Sequence, residues 1–96
     1  MSTVPAVLVL PAEITHRQAR ATLGMLLQGL RAGKGPQLVV DAGALQVFDS
    51  SALAVLLECR REALAARKSF AIRGLPAALA SMAALYGVAE LLPPAR

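Results

Sequence analysis

The chain has little of what metal sites and redox centres are built from. Its 96 residues include no tryptophan, one histidine and one cysteine, and aromatic residues make up only 3%. A single cysteine excludes a disulfide within the chain. One histidine, one cysteine and few carboxylates do not supply the ligands of a typical transition-metal site. We therefore expect neither a metal nor another cofactor.

Long runs of basic residues and long runs of apolar residues are also absent. The net charge is +4, but no five basic residues follow one another, and few aromatic rings are present to stack on bases. Nucleic-acid binding is therefore not expected. The N-terminal stretch MSTVPAVLVLP lacks the basic segment of a signal peptide, and no apolar run approaches the length of a membrane span. These features predict a cytoplasmic protein.

The composition is that of a folded chain. Apolar residues make up 56% and charged residues 17%, unlike a disordered segment. The length predicts one domain over residues 1–96. So small a domain cannot bury all of this apolar surface alone, and we expect a permanent protein partner or a homodimer. The alternative is a composition that is simply rich in alanine.

Apolar spacing predicts strands and helices in alternation. Ala6–Leu10 is typical of an edge strand because prolines flank it, and a helix follows with Thr15 as its N-cap and residues 33–36 as its end. The remaining predicted elements are a buried strand around Leu38–Val40, a helix from Ser50 to about Arg67, a strand over Phe70–Arg73, and a helix between Pro76 and Gly87.

Short connections between alternating elements indicate an α/β fold. We predict a mostly parallel sheet, mixed and of about four strands, backed by three or four helices. The inner face of the second helix is expected to carry Leu53, Leu56, Leu57 and Leu64, and Cys59 is expected to be a small buried side chain near Leu56.

Two motifs raise the question of catalysis. The glycines of Gly33–Gly35 follow a helix and precede a proline, which indicates a helix end and not a phosphate-binding loop. Ser50 and Ser51 lack the glycines of a hydrolase nucleophile elbow, and His16 is expected on the surface. We expect no catalytic residue, although a hydrolase that uses Ser50 stays an alternative.

The stretch VFDSSALAVLLECRREA carries the strongest functional signal. Asp49, Ser50 and Ser51 lie at the N-terminus of the second helix, where one of them can cap free backbone N–H groups. A single N-cap does not explain three polar residues. A phosphoryl group on Ser50 would suit the positive end of the helix dipole and would repel a docked partner. The hydroxyls therefore favour a binding surface that phosphorylation could switch off; helix capping alone is the alternative.

The stretch LVVDAGALQVFDSSALAVLLECRREA resembles the STAS domain, the fold of anti-sigma-factor antagonists and related regulators. In that family a strand that ends in Asp leads through a loop to an Asp-Ser-Ser/Thr-Gly motif, which opens the central helix. Asp41 and Asp49 match the two acids, and Ser50 matches the phosphorylated position. Ala52 and Ala54 stand where the antagonists usually have glycine. The resemblance implies a SpoIIAA-like sandwich.

The tail LYGVAELLP, Leu85 to Pro93, resembles the MlaB group, the small STAS subunits of the Mla phospholipid-transport ABC system of Gram-negative bacteria, which maintains lipid asymmetry of the outer membrane. This resemblance implies a non-enzymatic subunit that binds the cytoplasmic ATPase and, through it, lies near the inner-membrane permease without inserting into the membrane. The alternative is an anti-sigma-factor antagonist phosphorylated at Ser50.

The resemblance also implies which surface meets the partner. On this interpretation Ser50 and Ser51 supply hydrogen bonds, Asp49 belongs to the same loop, Ala54 permits close approach and Glu58 is a peripheral charge. In the absence of the partner, an isolated chain could form a homodimer through the same surface.

Overall fold

Strands and helices alternate along the chain, as the apolar spacing predicts. A computed structural model describes residues 6–95. In chain order its elements are β1 (Ala6–Val9), β2 (Glu13–Ile14), α1 (Ala19–Ala32), β3 (Gln37–Asp41), β4 (Val47–Phe48), α2 (Ser50–Ala65), β5 (Ser69–Arg73) and α3 (Ala77–Leu85), followed by a 3₁₀ turn at Ala89–Leu91.

The strands form two small parallel sheets. In the larger sheet β3 lies between β1 and β5, with Val39 opposite Val7 on one side and Ala71 on the other. The smaller sheet pairs only β2 with β4. The predicted α/β fold and the edge position of β1 are confirmed. The strands divide into three and two instead of forming one mixed sheet of about four, and every pairing between these strands is parallel.

The core lies between the helices and one face of the larger sheet. Side chains alternate along each strand, so that Leu38 and Val40 join the core cluster while Val39 is buried on the opposite face. Helix α1 contributes Leu26 and Leu30 to the cluster. Ile72 of β5 also belongs to the cluster, whereas Val39 is buried outside it.

Cys59 is completely buried, as predicted. Its removal from water disfavours the thiolate and raises the pKa of the thiol to about 11. It serves as a small apolar side chain on the inner face of α2.

Two local predictions are wrong. The N-cap of α1 is Gln18, not Thr15. Because β2 ends at Ile14, the chain first makes a turn in which the Thr15 carbonyl accepts the N–H groups of Gln18 and Ala19 at 3.1 and 3.0 Å. Leu64 does not line the core but is 47% exposed.

The exposure of Leu64 follows from the residues that α2 buries. They are Ala52, Leu53, Val55, Leu56, Cys59 and Ala63. This inner face is built partly from small residues, and it ends at Ala63. Leu64 lies one residue further round the helix, about 100° away, and therefore points off the edge of the face.

The C-terminal segment closes the free edge of β5. Gly87, with φ of 74°, ends α3 in the left-handed conformation that glycine adopts without strain. The chain then returns so that Ile72 donates its N–H to the Pro93 carbonyl and accepts the N–H of Ala95, both at 2.8 Å. The C-terminal segment thus forms a 3₁₀ turn followed by a single parallel bridge.

Within residues 6–95, the helices are too short or too polar for any of them to traverse a bilayer.

Two glycines of α1 provide a matched test of the packing between α1 and β1. A Cβ added at Gly24 would meet nothing within 4 Å, whereas one added at Gly29 would lie 2.6 Å from Leu8 Cδ2. We expect Gly24→Ala to stabilise the protein by about 0.5–1 kcal/mol through helix propensity. Gly29→Ala gains the same propensity but displaces Leu8, and overpacking costs about 1–3 kcal/mol.

Urea unfolding of both variants measures the difference. Gly29→Ala should be the less stable of the two by 1 kcal/mol or more. Equal free energies of unfolding would contradict the close approach of α1 to β1.

Candidate functional site

The carboxylate of Asp49 joins the starts of α1 and α2. Its Oδ1 accepts the backbone N–H of Ser51 at 2.8 Å and so caps α2. Its Oδ2 accepts the backbone N–H of His16 at 3.1 Å, from the turn that precedes α1. The pairing of β2 with β4 brings these two turns together, since each strand ends directly before one of them. One side chain therefore fixes the relative position of the two helix starts.

Hydrogen bonding keeps this carboxylate ionised. The N–H of Ser51 is the main cause that lowers the pKa of Asp49 below its ordinary value of 3.8, and His16 contributes further. The His16 ring lies beside the same carboxylate, with Nδ1 at 3.6 Å from Oδ2, and its side chain is 76% exposed. His16 is thus a surface residue, as predicted, but its contact with Asp49 was not foreseen.

The two serines differ in exposure. Ser50, the first residue of α2, is exposed, while Ser51 is half-buried. No hydrogen bond between His16 and Ser50 occurs among residues 6–95, and the same residues contain no cluster of three potential metal ligands. The Ser50 hydroxyl is therefore free to meet a partner, and the geometry gives no support to the hydrolase alternative.

A groove runs between the first turns of α1 and α2. Its volume is about 440 Å³, and it is lined by Ala19, Arg20, Leu23, Ser51, Ala54, Val55 and Glu58. Most of the lining surface is apolar, with Arg20 and Glu58 as its charged residues. Three of the five predicted site residues, Ser51, Ala54 and Glu58, thus lie together in one groove. Asp49 and Ser50 stand at the mouth of α2 beside it.

The α1 side of the groove was not predicted. Ala19 and Leu23 are apolar and recur at helical spacing, yet both are only half-buried. Their position opposite Ala54 depends on tertiary contacts, among them the one between Asp49 and His16, residues 33 positions apart. No local pattern in the sequence signals such a contact.

Glu58 belongs to a charged cluster on the outer face of α2. The Arg61 guanidinium lies 2.6 Å from Glu58 and 3.3 Å from Glu62. The hydrogen bonds from Arg61 are the main cause that lowers the pKa of the Glu58 carboxyl. This cluster borders the groove, in keeping with the predicted peripheral role of Glu58.

The two alanines that replace family glycines occupy different environments. Ala52 is completely buried, so that its methyl group belongs to the core. Ala54 is exposed and lines the groove. Only the methyl group of Ala54 can therefore affect how closely a partner approaches this surface.

The comparison with known families agrees with this architecture. A family model described as "Mlab, STAS domain" matches residues 1–93. The match includes both sheets, all three helices and the groove. No curated protein sequence matches the chain significantly.

Two substitutions of Asp49 should distinguish the contributions that its two hydrogen bonds make to stability. Asp49→Ala removes both and should lower the melting temperature by about 4–8 °C, the effect of losing a typical N-cap in a domain of this size. Asp49→Asn keeps an acceptor for Ser51 but replaces the second oxygen by an amide donor, so that its melting temperature should be intermediate. Equal melting temperatures for all three proteins would contradict the role of Asp49 in joining the helix starts.

The same carboxylate predicts a pH dependence of stability. Because the pKa of Asp49 is lowered in the folded protein, its stabilising effect is fully present above the pKa of the unfolded chain and is lost as pH falls through the folded value. The stability difference between the wild type and Asp49→Asn should therefore be constant near neutral pH and shrink below about pH 4. Urea unfolding at several pH values measures this difference, and effects of Glu58 cancel because both proteins contain it. A difference that fails to shrink below about pH 4 would contradict the assignment.

Proposed function

The chain belongs to the STAS family and resembles its MlaB members, and from this membership we propose that it is a non-enzymatic accessory subunit of an Mla-type phospholipid ABC transporter. Domains of this family are in general regulatory or accessory domains. On this proposal the protein binds the cytoplasmic ATPase subunit, supports its assembly and activity, and reaches the inner membrane through that subunit.

The observation that carries the proposal is the surface at the start of α2. We define it as the docking surface: Asp49, Ser50, Ser51, Ala54 and Glu58, with Ala19, Arg20 and Leu23 of α1. It combines an exposed hydroxyl, an open apolar groove and a small residue in its wall. Protein interfaces typically have such an apolar centre with polar groups at its rim.

Each residue has a distinct role in this proposal. The Ser50 hydroxyl can both donate and accept a hydrogen bond. Ala54 leaves room for a partner side chain between Leu23 and Glu58. Arg20 and Glu58, on opposite sides of the groove, offer one charge of each sign and so favour one orientation of the partner. Asp49 positions Ser50 and the helix starts through its hydrogen bonds to the backbone.

An anti-sigma-factor antagonist would use the same surface differently. The exposure of Ser50 at the first residue of α2 would also suit a phosphorylated serine, which a helix N-terminus stabilises. That alternative predicts a serine kinase as the partner and phosphate on Ser50 in cells.

Two variants test the proposed docking surface. We expect Ser50→Glu and Ala54→Trp each to weaken binding to the ATPase subunit at least tenfold, because one places a charge and the other a large ring in the contact. Neither should lower the melting temperature, since both positions are exposed and an acidic residue is favourable in the first turn of a helix. Binding is measured by titrating labelled protein with the purified ATPase subunit from the same organism.

Helix α3 offers matched controls. Ala77→Glu introduces the same charge at the first residue of another helix, and Ala78→Trp introduces the same ring at another exposed alanine. Both should bind like the wild type. Normal binding by Ser50→Glu and Ala54→Trp would refute the docking surface. Capture of a serine kinase from the native host instead of the ATPase, together with phosphate on Ser50, would establish the anti-sigma alternative.

A further inference from the structure

The C-termini of α1 and α2 lie side by side, at the end of the larger sheet where its strands begin. Strands β1, β3 and β5 are parallel, so each connecting helix must return the chain to the end of the sheet where the next strand begins. Three hydrogen bonds join the loops that follow the helices. The Ser69 N–H donates to the Pro36 carbonyl at 2.9 Å. Lys68 Nζ donates to the Gly33 carbonyl at 2.9 Å and also to the Gly35 carbonyl.

The C-terminus of α3 lies at this end of the sheet too. The segment after it runs parallel to β5, as the bridge between Pro94 and Ile72 requires. The C-terminal ends of all three helices therefore point to one end of the molecule, opposite the docking surface at the starts of α1 and α2.

This end is rich in basic side chains. They are Arg31 in the last turn of α1, Lys34 in the next loop, and Arg67 and Lys68 after α2. Arg31, Lys34 and Arg67 are exposed, while Lys68 is half-buried and bound to loop carbonyls. The acidic residues nearby are Glu62, which lies 3.3 Å from Arg61, and Glu90 in the 3₁₀ turn. Positive charge therefore predominates at this end.

Apolar side chains protrude at the same end. Leu64 in the last turn of α2 is 47% exposed, Leu85 at the end of α3 is 82% exposed, and Tyr86 directly after it is 59% exposed. Leu85 is the most exposed large apolar side chain among residues 6–95. We define the basic end by these three residues together with Arg31, Lys34, Arg67 and Lys68.

We propose that the basic end binds the surface of an anionic phospholipid bilayer. Lys and Arg side chains are attracted to anionic headgroups, and protruding leucine and tyrosine side chains partition into the boundary between headgroups and acyl chains. A bilayer takes up protruding apolar side chains without a shaped pocket, whereas a protein partner would need a matching pocket for each of Leu64, Leu85 and Tyr86. This binding is separate from the docking surface and does not depend on the identity of the ATPase partner.

The experiment is sedimentation of the purified protein with lipid vesicles. We expect binding to vesicles of phosphatidylglycerol and phosphatidylethanolamine, weak binding to phosphatidylcholine vesicles, and release at a salt concentration of about 0.5 M, where surface charges are screened. The double variant Lys34→Gln/Arg67→Gln should bind roughly 25-fold more weakly, about fivefold for each charge. Leu85→Ser should weaken binding several-fold without changing the net charge.

The double variant Arg17→Gln/Arg73→Gln is the matched control. It removes the same charge from exposed residues before α1 and at the end of β5, at the opposite end of the molecule, and should lose much less affinity than Lys34→Gln/Arg67→Gln. Equal losses in the two double variants would overturn the proposal, because binding would then reflect net charge alone. So would equal binding to neutral vesicles, or no binding at low salt. A further outcome would also refute the proposal: the wild type does not bind vesicles, and Lys34→Gln/Arg67→Gln weakens the complex with the ATPase. The basic end would then be a contact with a protein.

Discussion

One carboxylate joins the two helix starts that border the groove of this domain. Asp49 caps α2 through Ser51 and holds the turn before α1 through the His16 N–H. This link adds to the pairing of β2 with β4 and to the direct packing of α1 against α2. It joins the two helix starts beside the groove that Ala19 and Ala54 line. The acid that the family motif places before its serines thus has a structural task, whatever the serines bind.

Much of the fold could be predicted from the sequence, because most of its strands and helices have a recognisable pattern within their own residues. The continuous apolar run of Leu38–Val40 indicates a central strand, and the spacing of apolar residues in α1 indicates a helix with one buried face. Residues 33–36 stop α1, and Gly87 stops α3, through backbone properties that need no tertiary context. The STAS motif then identified the family. These signals each lie within one element, which is why they could be read from a single sequence.

The errors share a different physical origin. Strands β2 and β4 are two residues long and pair only with each other. Two residues are too few to show a periodic pattern. Thr15 has the right chemistry for an N-cap, but β2 ends one residue earlier and the chain needs a turn before α1 can begin. Leu64 was assigned to the core because leucine is apolar, whereas α2 buries the smaller Cys59 and Ala63. Such outcomes depend on how neighbouring elements pack.

The parallel topology also separates two kinds of surface. Every helix starts near the ends of the strands and finishes near their beginnings, so side chains at helix starts and at helix ends meet in different regions of space. At the starts, Asp49 and the hydroxyls flank an apolar groove that suits a specific, close contact. At the ends, Arg31 in the last turn of α1 complements the negative end of that helix dipole, and Lys34, Arg67 and Lys68 follow α1 and α2. The last turns of α2 and α3 contain no basic residue. The direction of the strands, and not local stabilisation of each helix, therefore places the groove and the basic residues at opposite ends of the domain.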